Sequence, residues 1–322
     1  MSERSMQQAL NEALAEALAE DPRVLVFGED VGRHGGVFRV TDDLQRRFGE
    51  QRVFDTPLGE AGIVGLAVGL CMQGWRPVVE IQFDGFVFPA FNQIATQISK
   101  LRTRTLGAFG LPLTIRVPSY GGIKGPEHHS ESVETFVAHL PGIKVVSPSN
   151  PAEAQTLLGE AVRDPDPVVF LEPKSRYWAR DDSMPSPVGE YASRVVREGA
   201  DVTLFAWGAT VDRCLQSAEF AAEDGVDVQV VDLRWLKPLD VDGISTAAGK
   251  TRRAVVVHEA PVTLGLGAEL SAVLMERCFG DLLAPVVRVA APDTPYPSAG
   301  LEDEYLPSVD RILLGIQSAL DG

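Results

Sequence analysis

The chain has 322 residues, enough for two domains of ordinary size. Hydrophobic residues make up 45% and charged residues 23%, which excludes a disordered polymer. The formal net charge of -16 argues against nucleic-acid and anionic-membrane partners, and leaves plain solubility or a basic protein partner as readings.

Residues 5–20 repeat apolar positions at helical spacing behind a candidate cap, Ser5. No apolar run of signal or membrane length occurs near the start, so a cytoplasmic, membrane-free protein is expected. VLVFG (24–28) reads as a buried strand, and a glycine-rich turn follows. EAGIVGLAVGL (60–70) reads as a buried helix of small residues, in which Gly62, Gly65 and Gly69 let another backbone come close. PVVEIQF (77–83) predicts a strand and PAFNQIATQISKLR (89–102) an amphipathic helix opened by proline. Strands are expected at 113–118, 144–149 and 167–173, with a helix at 150–164 capped by Asn150 or Ser149.

The proline-rich, polar stretch from about Arg180 to Glu198 reads as a linker. Strands at 202–208, 226–233, 253–260 and 286–292, with helices between them and a last helix near 307–320, make a second unit. The expected boundaries are 1–183 for the first domain, 184–198 for the linker and 199–322 for the second domain. Alternating strands and helices predict an α/β protein with two mainly parallel sheets. Cys71, Cys214 and Cys278 are far apart and suggest neither a disulfide framework nor a zinc site. There is no GxxxxGK[ST] loop, and GLGAEL (265–270) is only part of a dinucleotide fingerprint, so a nicotinamide site is not expected.

Four segments carry candidate chemistry. In FGEDVGRHGGVF (27–38), Glu29 and Asp30 follow a buried strand, at the carboxyl end where open α/β sheets bind ligands; a solvated acidic turn is the alternative. In FDTPLGEAGIVG (54–65), Glu60 opens an apolar helix. It is either a dipole-stabilised cap or a desolvated carboxylate poised for proton transfer. In EIQFDGFVFPAFNQ (80–93), Phe83, Phe86, Phe88 and Phe91 surround Gln82; they are core, or a face for a planar heteroaromatic ring beside an amide. GGIKGPEHHSES (121–132) places His128 and His129 in a glycine-rich loop. Such a histidine is a surface residue or an acid/base group whose pKa lies near operating pH.

FGEDVG, DTPLGEAGIVGLAVG, EIQFDGFVFPAF, the HHSES loop followed by AHLPGIKVVSPSNPAEA, and DPDPVVFLEPK together resemble the β subunits of 2-oxo acid dehydrogenases. VDLRWLKPLD, VVVHEAP and APDTPYP extend the likeness through the second domain, so it covers nearly the whole chain. The resemblance implies a thiamine-diphosphate pyrimidine-binding fold followed by a transketolase C-terminal-like fold. It implies a heterotetramer of two α-type and two β-type chains with the cofactor between subunits. The β chain would hold the aminopyrimidine, and the α chain the diphosphate and Mg2+ through a GDG…N motif. No GDG occurs here, since Gly280-Asp281 is followed by leucine.

Carried over by position, Glu60 matches the glutamate that hydrogen-bonds the pyrimidine nitrogen and so favours the tautomer that activates the thiazolium carbon. Phe86 matches an aromatic stacking position that is often tyrosine in the family. Gln82, Leu58 and Glu29 match pocket-lining positions. His129 matches the histidine that assists reductive acyl transfer to lipoamide, while His128 matches a variable position. Some relatives hold a structural K+; the matching ligands are Leu111, Leu113, Thr114, Ala161, Asp164 and Asp166, and an Asp-Pro turn closing a helix is the equal alternative. The second domain would contact a dihydrolipoyl acyltransferase core through that protein's basic subunit-binding domain. His258 and Glu259 read as interface or structural residues.

EIQFDGFVFPAFNQI resembles branched-chain-type subunits more than pyruvate-type ones, while PEHHSES also resembles pyruvate-type relatives. The expected substrate is a branched-chain 2-oxo acid, with pyruvate or acetoin as the alternative. A self-sufficient thiamine enzyme is disfavoured by the missing GDG module, and a non-catalytic scaffold by the presence of Glu60 and His129.

Overall fold

The computed structural model describes residues 3–181 and 189–322; residues 184–188 of the expected linker lie outside the described residues. The chain forms two compact units, Met1–Tyr120 with His128–Pro187, and Gly121–Glu127 with Val188–Gly322.

In the first unit, helix α1 (Met6–Glu20) starts at Ser5 with a full capping box, the Ser5 side chain accepting from the Gln8 amide and the Gln8 side chain accepting from the Ser5 amide. Its Ala9, Leu10, Ala13, Leu14 and Leu18 are buried, and they pack this helix on α4 (Pro151–Arg163), which Asn150 caps. Between them in sequence come β1 (Val24–Gly28), β2 (Val53–Asp55), α2 (Glu60–Met72), β3 (Arg76–Glu80), α3 (Val87–Gln93), β4 (Thr114–Ser119) and β5 (Lys144–Val146). Strand β6 (Val168–Pro173) follows α4. These strands lie parallel in the order β5-β6-β4-β3-β1-β2. Their buried runs of valine, isoleucine and phenylalanine are what a sheet covered on both faces requires.

The strand expected over 77–83 stops at Glu80. Beyond it the chain turns through a 3-10 helix, Asp84–Phe86, straight into α3. The helix expected over 89–102 therefore begins earlier, continues as a π segment (Ile94–Ile98) and ends as Ser99–Arg104. Pro89 sits in the first turn of α3, where its missing N–H costs nothing. Strand β2 was not anticipated, because its three residues are too few for a periodic signal.

In the second unit, β7 (Arg194–Arg197) lies inside the stretch read as linker and pairs antiparallel to a later strand. It precedes β8 (Val202–Ala206), α5 (Thr210–Glu223), β9 (Val228–Asp232), α6 (Val241–Thr251), β10 (Ala254–Pro261), α7 (Leu266–Cys278), β11 (Val287–Ala291) and α8 (Val309–Asp321). The order is β11-β10-β8-β9-β7, with every pairing parallel except β9 to β7. Val202, Leu204, Val230, Val255 and Val257 meet α5 and α8 in one apolar core. Among the described residues no helix is long and apolar enough to cross a membrane.

Candidate functional site

Strand order brings several of the expected site residues together in the first unit. The chain leaves β1 towards β2 on one side and leaves β3 towards β4 on the other. The carboxyl ends of β1 and β3 are therefore neighbours with diverging connections, which opens a crevice in a doubly wound sheet. Glu29 follows β1 and Gln82 lies two residues past β3. Gly28 pairs with Glu80, and a Cβ at Gly28 would lie 2.6 Å from the Glu80 carbonyl oxygen, so glycine permits the two strand ends to approach.

Gln82 Nε2 donates to the Glu29 carbonyl and to Asp30 Oδ2, both at 3.2 Å. Glu29 Oε1 accepts from the Gly59 amide at 3.1 Å, which ties the end of β1 to the turn that opens α2. Burial pushes the Glu29 carboxyl up, against the pull of that amide, and the Glu60 and Asp30 charges add to the rise. Glu60 is the first residue of α2 and is 9% exposed, although the helix it opens is apolar throughout. Gly59, before it, offers no side-chain cap. Leu58 is 86% exposed.

Phe86, at the end of the 3-10 turn, meets Phe83 and His129 edge-on, with ring centroids 5.9 Å and 5.5 Å away. His129 stacks on Phe83 at 3.9 Å, and His128 lies 6.2 Å from Phe86. A Cβ at Gly85 would be 2.4 Å from the His128 carbonyl oxygen, so the loop seats directly on the turn. The structure thus brings Gln82 to Glu29 and, through Gly59, to the start of α2. It also gathers Phe83, Phe86 and His129 into one aromatic cluster.

Two buried ionic groups beneath the crevice escaped the sequence reading. Arg116 donates to Glu80 (2.7 Å) and doubly to Glu172 (2.6 and 2.9 Å), and the Tyr177 hydroxyl also donates to Glu172. Burial raises the Glu80 carboxyl despite the guanidinium. Lys174 pairs with Asp84 in full burial, and Asp84 also accepts from the Gly85 amide. Burial pushes the Asp84 carboxyl up to about 6, against the neighbouring ammonium. The only local signal was charge inside otherwise apolar strands (Glu80, Arg116, Glu172), which single-strand patterns do not pair.

The oxygens expected around a potassium ion make the following contacts. Both Asp164 carboxylate oxygens accept from Lys144 Nζ (2.8 and 2.7 Å), and Arg102 donates to Asp166. The Leu111 and Leu113 carbonyls accept from the Leu113 and Val168 amides, and the Asp164 amide reaches the Ala161 carbonyl at 3.3 Å. Thr114 is buried at the start of β4. Asp164 also accepts from the Asp166 amide, and carbonyl and carboxylate oxygens that accept one hydrogen bond keep further lone pairs, so these contacts fit the helix-closing turn and the potassium reading alike. Among the described residues no group of three or more His, Cys, Asp or Glu is placed to hold a metal ion. In the second unit, His258 stacks on Trp207 and Glu259 accepts from the Gly121 amide.

Residues 2–178 match the pyrimidine-binding domain of transketolase, and residues 191–312 match the transketolase C-terminal domain. The chain is 51% identical to the pyruvate dehydrogenase E1 component subunit beta of Leifsonia xyli subsp. xyli, over 98% of this chain and 94% of that one. It is 50% identical to the 3-methyl-2-oxobutanoate dehydrogenase subunit beta of Mycobacterium tuberculosis, over 98% and 92%. A split-gene transketolase, described as an inactive beta4 tetramer, superposes with a TM-score of 0.83 at 25% identity, covering 99% of both chains.

Proposed function

The chain belongs to the β subunits of thiamine-diphosphate-dependent 2-oxo acid dehydrogenases, and from that premise we propose that it is the pyrimidine-holding half of a shared active site, completed by an α-type subunit. The observation that carries the reading is helix α2. Glu60 is nearly buried at its start, yet the helix leaves an apolar face bare: Leu66 is 46% exposed, and added Cβ atoms at Gly62 and Gly69 would meet nothing within 4 Å. An uncovered apolar face beside a desolvated carboxylate suits a second protein surface. We assign that surface to the α-type subunit of a heterotetramer. Gly65 instead faces Gln93 of α3.

Thiamine diphosphate, when bound, supplies the carbon nucleophile and the electron sink for decarboxylation. The residues present suit its pyrimidine end. Glu60 would be the residue that holds a proton towards the pyrimidine ring. Phe86 offers an aromatic face, and Glu29 with Gln82 sets the floor beside it. Leu58, exposed in this chain, lies on the side the partner covers. His129 holds the proton delivered to a lipoyl sulfur during acyl transfer. The diphosphate and Mg2+ fall to the partner subunit, and the acyltransferase docks on the second unit.

We favour a branched-chain 2-oxo acid, on the likeness of residues 80–94 to branched-chain-type subunits and on the Mycobacterium relative. Pyruvate is the second reading, favoured by the Leifsonia relative. One methylene changes discrimination by only about 1–3 kcal/mol, so a pocket built from two subunits can take either. The test is Glu60→Gln in the reconstituted tetramer, with dye reduction followed on 3-methyl-2-oxobutanoate and pyruvate. The tetramer should persist and turnover on both acids should drop about 10²–10⁴-fold. Unchanged turnover would reject the role of Glu60.

A further inference from the structure

Three consecutive residues of the turn after β3 each hold a different residue of the histidine loop. Phe83 stacks on His129, with ring centroids 3.9 Å apart. Asp84 is fully buried, and its carboxylate accepts from the Glu131 amide as well as from the Gly85 amide at 2.8 Å. Gly85 stands where a Cβ would lie 2.4 Å from the His128 carbonyl oxygen. All of these residues lie in the first unit.

The turn is itself fixed to the sheet. Lys174 follows β6 directly and pairs with Asp84 in full burial. Its Nζ also reaches the Pro118 carbonyl of the neighbouring β4 at 3.4 Å. Burial works against charge on Asp84, while the Lys174 ammonium and the two amides favour it. The Glu131 carbonyl in turn accepts from the Tyr120 amide at 3.1 Å, just past the end of β4. Glu131 is thus tied through both of its backbone groups, to Asp84 on one side and to β4 on the other. An irregular segment needs acceptors for its amides, and a charged acceptor holds an amide more strongly than a neutral one.

We propose that Asp84, anchored by Lys174, is a positioning residue for His129. Glu131 lies two positions beyond the imidazole, and Ser130 between them is buried. With the Glu131 amide and carbonyl both held, the backbone at 129–130 has few torsions left to vary. The Phe83 stack restrains the plane of the imidazole but lets it slide. The hydrogen bond from Glu131 to Asp84 is directional and acts on the backbone, so it sets where the loop stands along the turn. The inference rests on the acyl-transfer role proposed for His129.

The experiment uses the reconstituted tetramer with three variants, Asp84→Ala/Lys174→Met, Asp84→Asn/Lys174→Met and His129→Ala. Changing both partners avoids breaking a buried ion pair from one side. The asparagine variant also keeps the volume of the side chain, so it supplies the readout even where the alanine variant does not assemble. Amide hydrogen exchange is read at Glu131. Dye-coupled decarboxylation and reductive acylation of a lipoylated acyltransferase domain are measured separately. Asp84→Ala/Lys174→Met should speed exchange at Glu131 and lower acylation about tenfold more than decarboxylation, since small displacements of a reacting group are costly. Asp84→Asn/Lys174→Met, which keeps one carbonyl acceptor, should fall between that variant and the parent on both readouts. Unchanged exchange at Glu131 in both double variants would overturn the clamp. Faster exchange with acylation and decarboxylation lowered alike, or with neither lowered, would overturn positioning, because a merely structural role moves both reactions together. If His129→Ala itself acylates normally, the role of His129 fails, and the positioning inference falls with it.

Discussion

The imidazole of His129 lies nearly parallel to the ring of Phe83, with centroids 3.9 Å apart and planes 19° apart. Phe83 is itself wedged edge-on between Phe38 and Phe86. A loop histidine would otherwise sample many rotamers, and the stack restricts it to one plane. The ring that does this is thus as much a part of the candidate site as the histidine.

Phe83→Ala should therefore slow reductive acylation while leaving the fold intact. Such an aromatic contact is worth about 0.5–1.5 kcal/mol, or roughly a two- to tenfold loss. Steady-state acylation of a lipoylated domain reads it, and Phe83→Tyr should retain most of the rate. An alanine variant at full rate would show that the stack is incidental.

Gly85→Ala adds one carbon where the His128 carbonyl already stands 2.4 Å away. Neither atom sits on a flexible side-chain tip, so the backbone must move. We expect acylation to fall about tenfold or more, since displacements near 1 Å can cost a hundredfold. Hydrogen exchange across residues 118–132 should quicken in parallel.

Glu29 gives a pH signature. Its folded-state pKa is raised, chiefly by burial. A raised acid contributes stability below its unfolded pKa and loses that contribution as pH rises through the folded value. The parent should therefore lose stability relative to Glu29→Gln as pH climbs from about 4, the ordinary glutamate range, through the raised folded value. Urea midpoints for both proteins across that window check the sign, and a gap that widens in the other direction would refute it.

Asp84 and Lys174 form a buried pair at 0% side-chain exposure for both. Asp84→Asn should cost about 3–5 kcal/mol, because it removes one charge of a fully buried ion pair. The double variant Asp84→Asn/Lys174→Met should recover most of that loss. A double-mutant cycle from urea unfolding measures the coupling.

Leu66→Glu places a carboxylate on the bare face of α2 while sparing the buried face. The isolated chain should fold normally and fail to capture an α-type subunit in co-expression. Normal capture would move the partner to another surface.

Much of the architecture is legible in the sequence alone, and for local reasons. Strand β1 is a five-residue apolar run, α1 carries its own capping box, and α4 begins at an asparagine followed by proline. Each of these signals spans only a few residues. Glu29, Glu60, Gln82, Phe86 and His129 were legible as candidates because the order of their motifs matches a family, although each alone has an ordinary structural reading. What only the tertiary structure decided is which of them meet. Gln82 reaches Glu29 across 53 positions because β1 and β3 are sheet neighbours, and Glu302 holds Gly122 across 180. The Arg116–Glu80–Glu172 cluster depends in the same way on strand order, since each charge looks misplaced in its own strand until its neighbours stand beside it. Periodicity and capping act within a turn or a strand, whereas ion pairing and stacking act through space, so the chain must close before they exist.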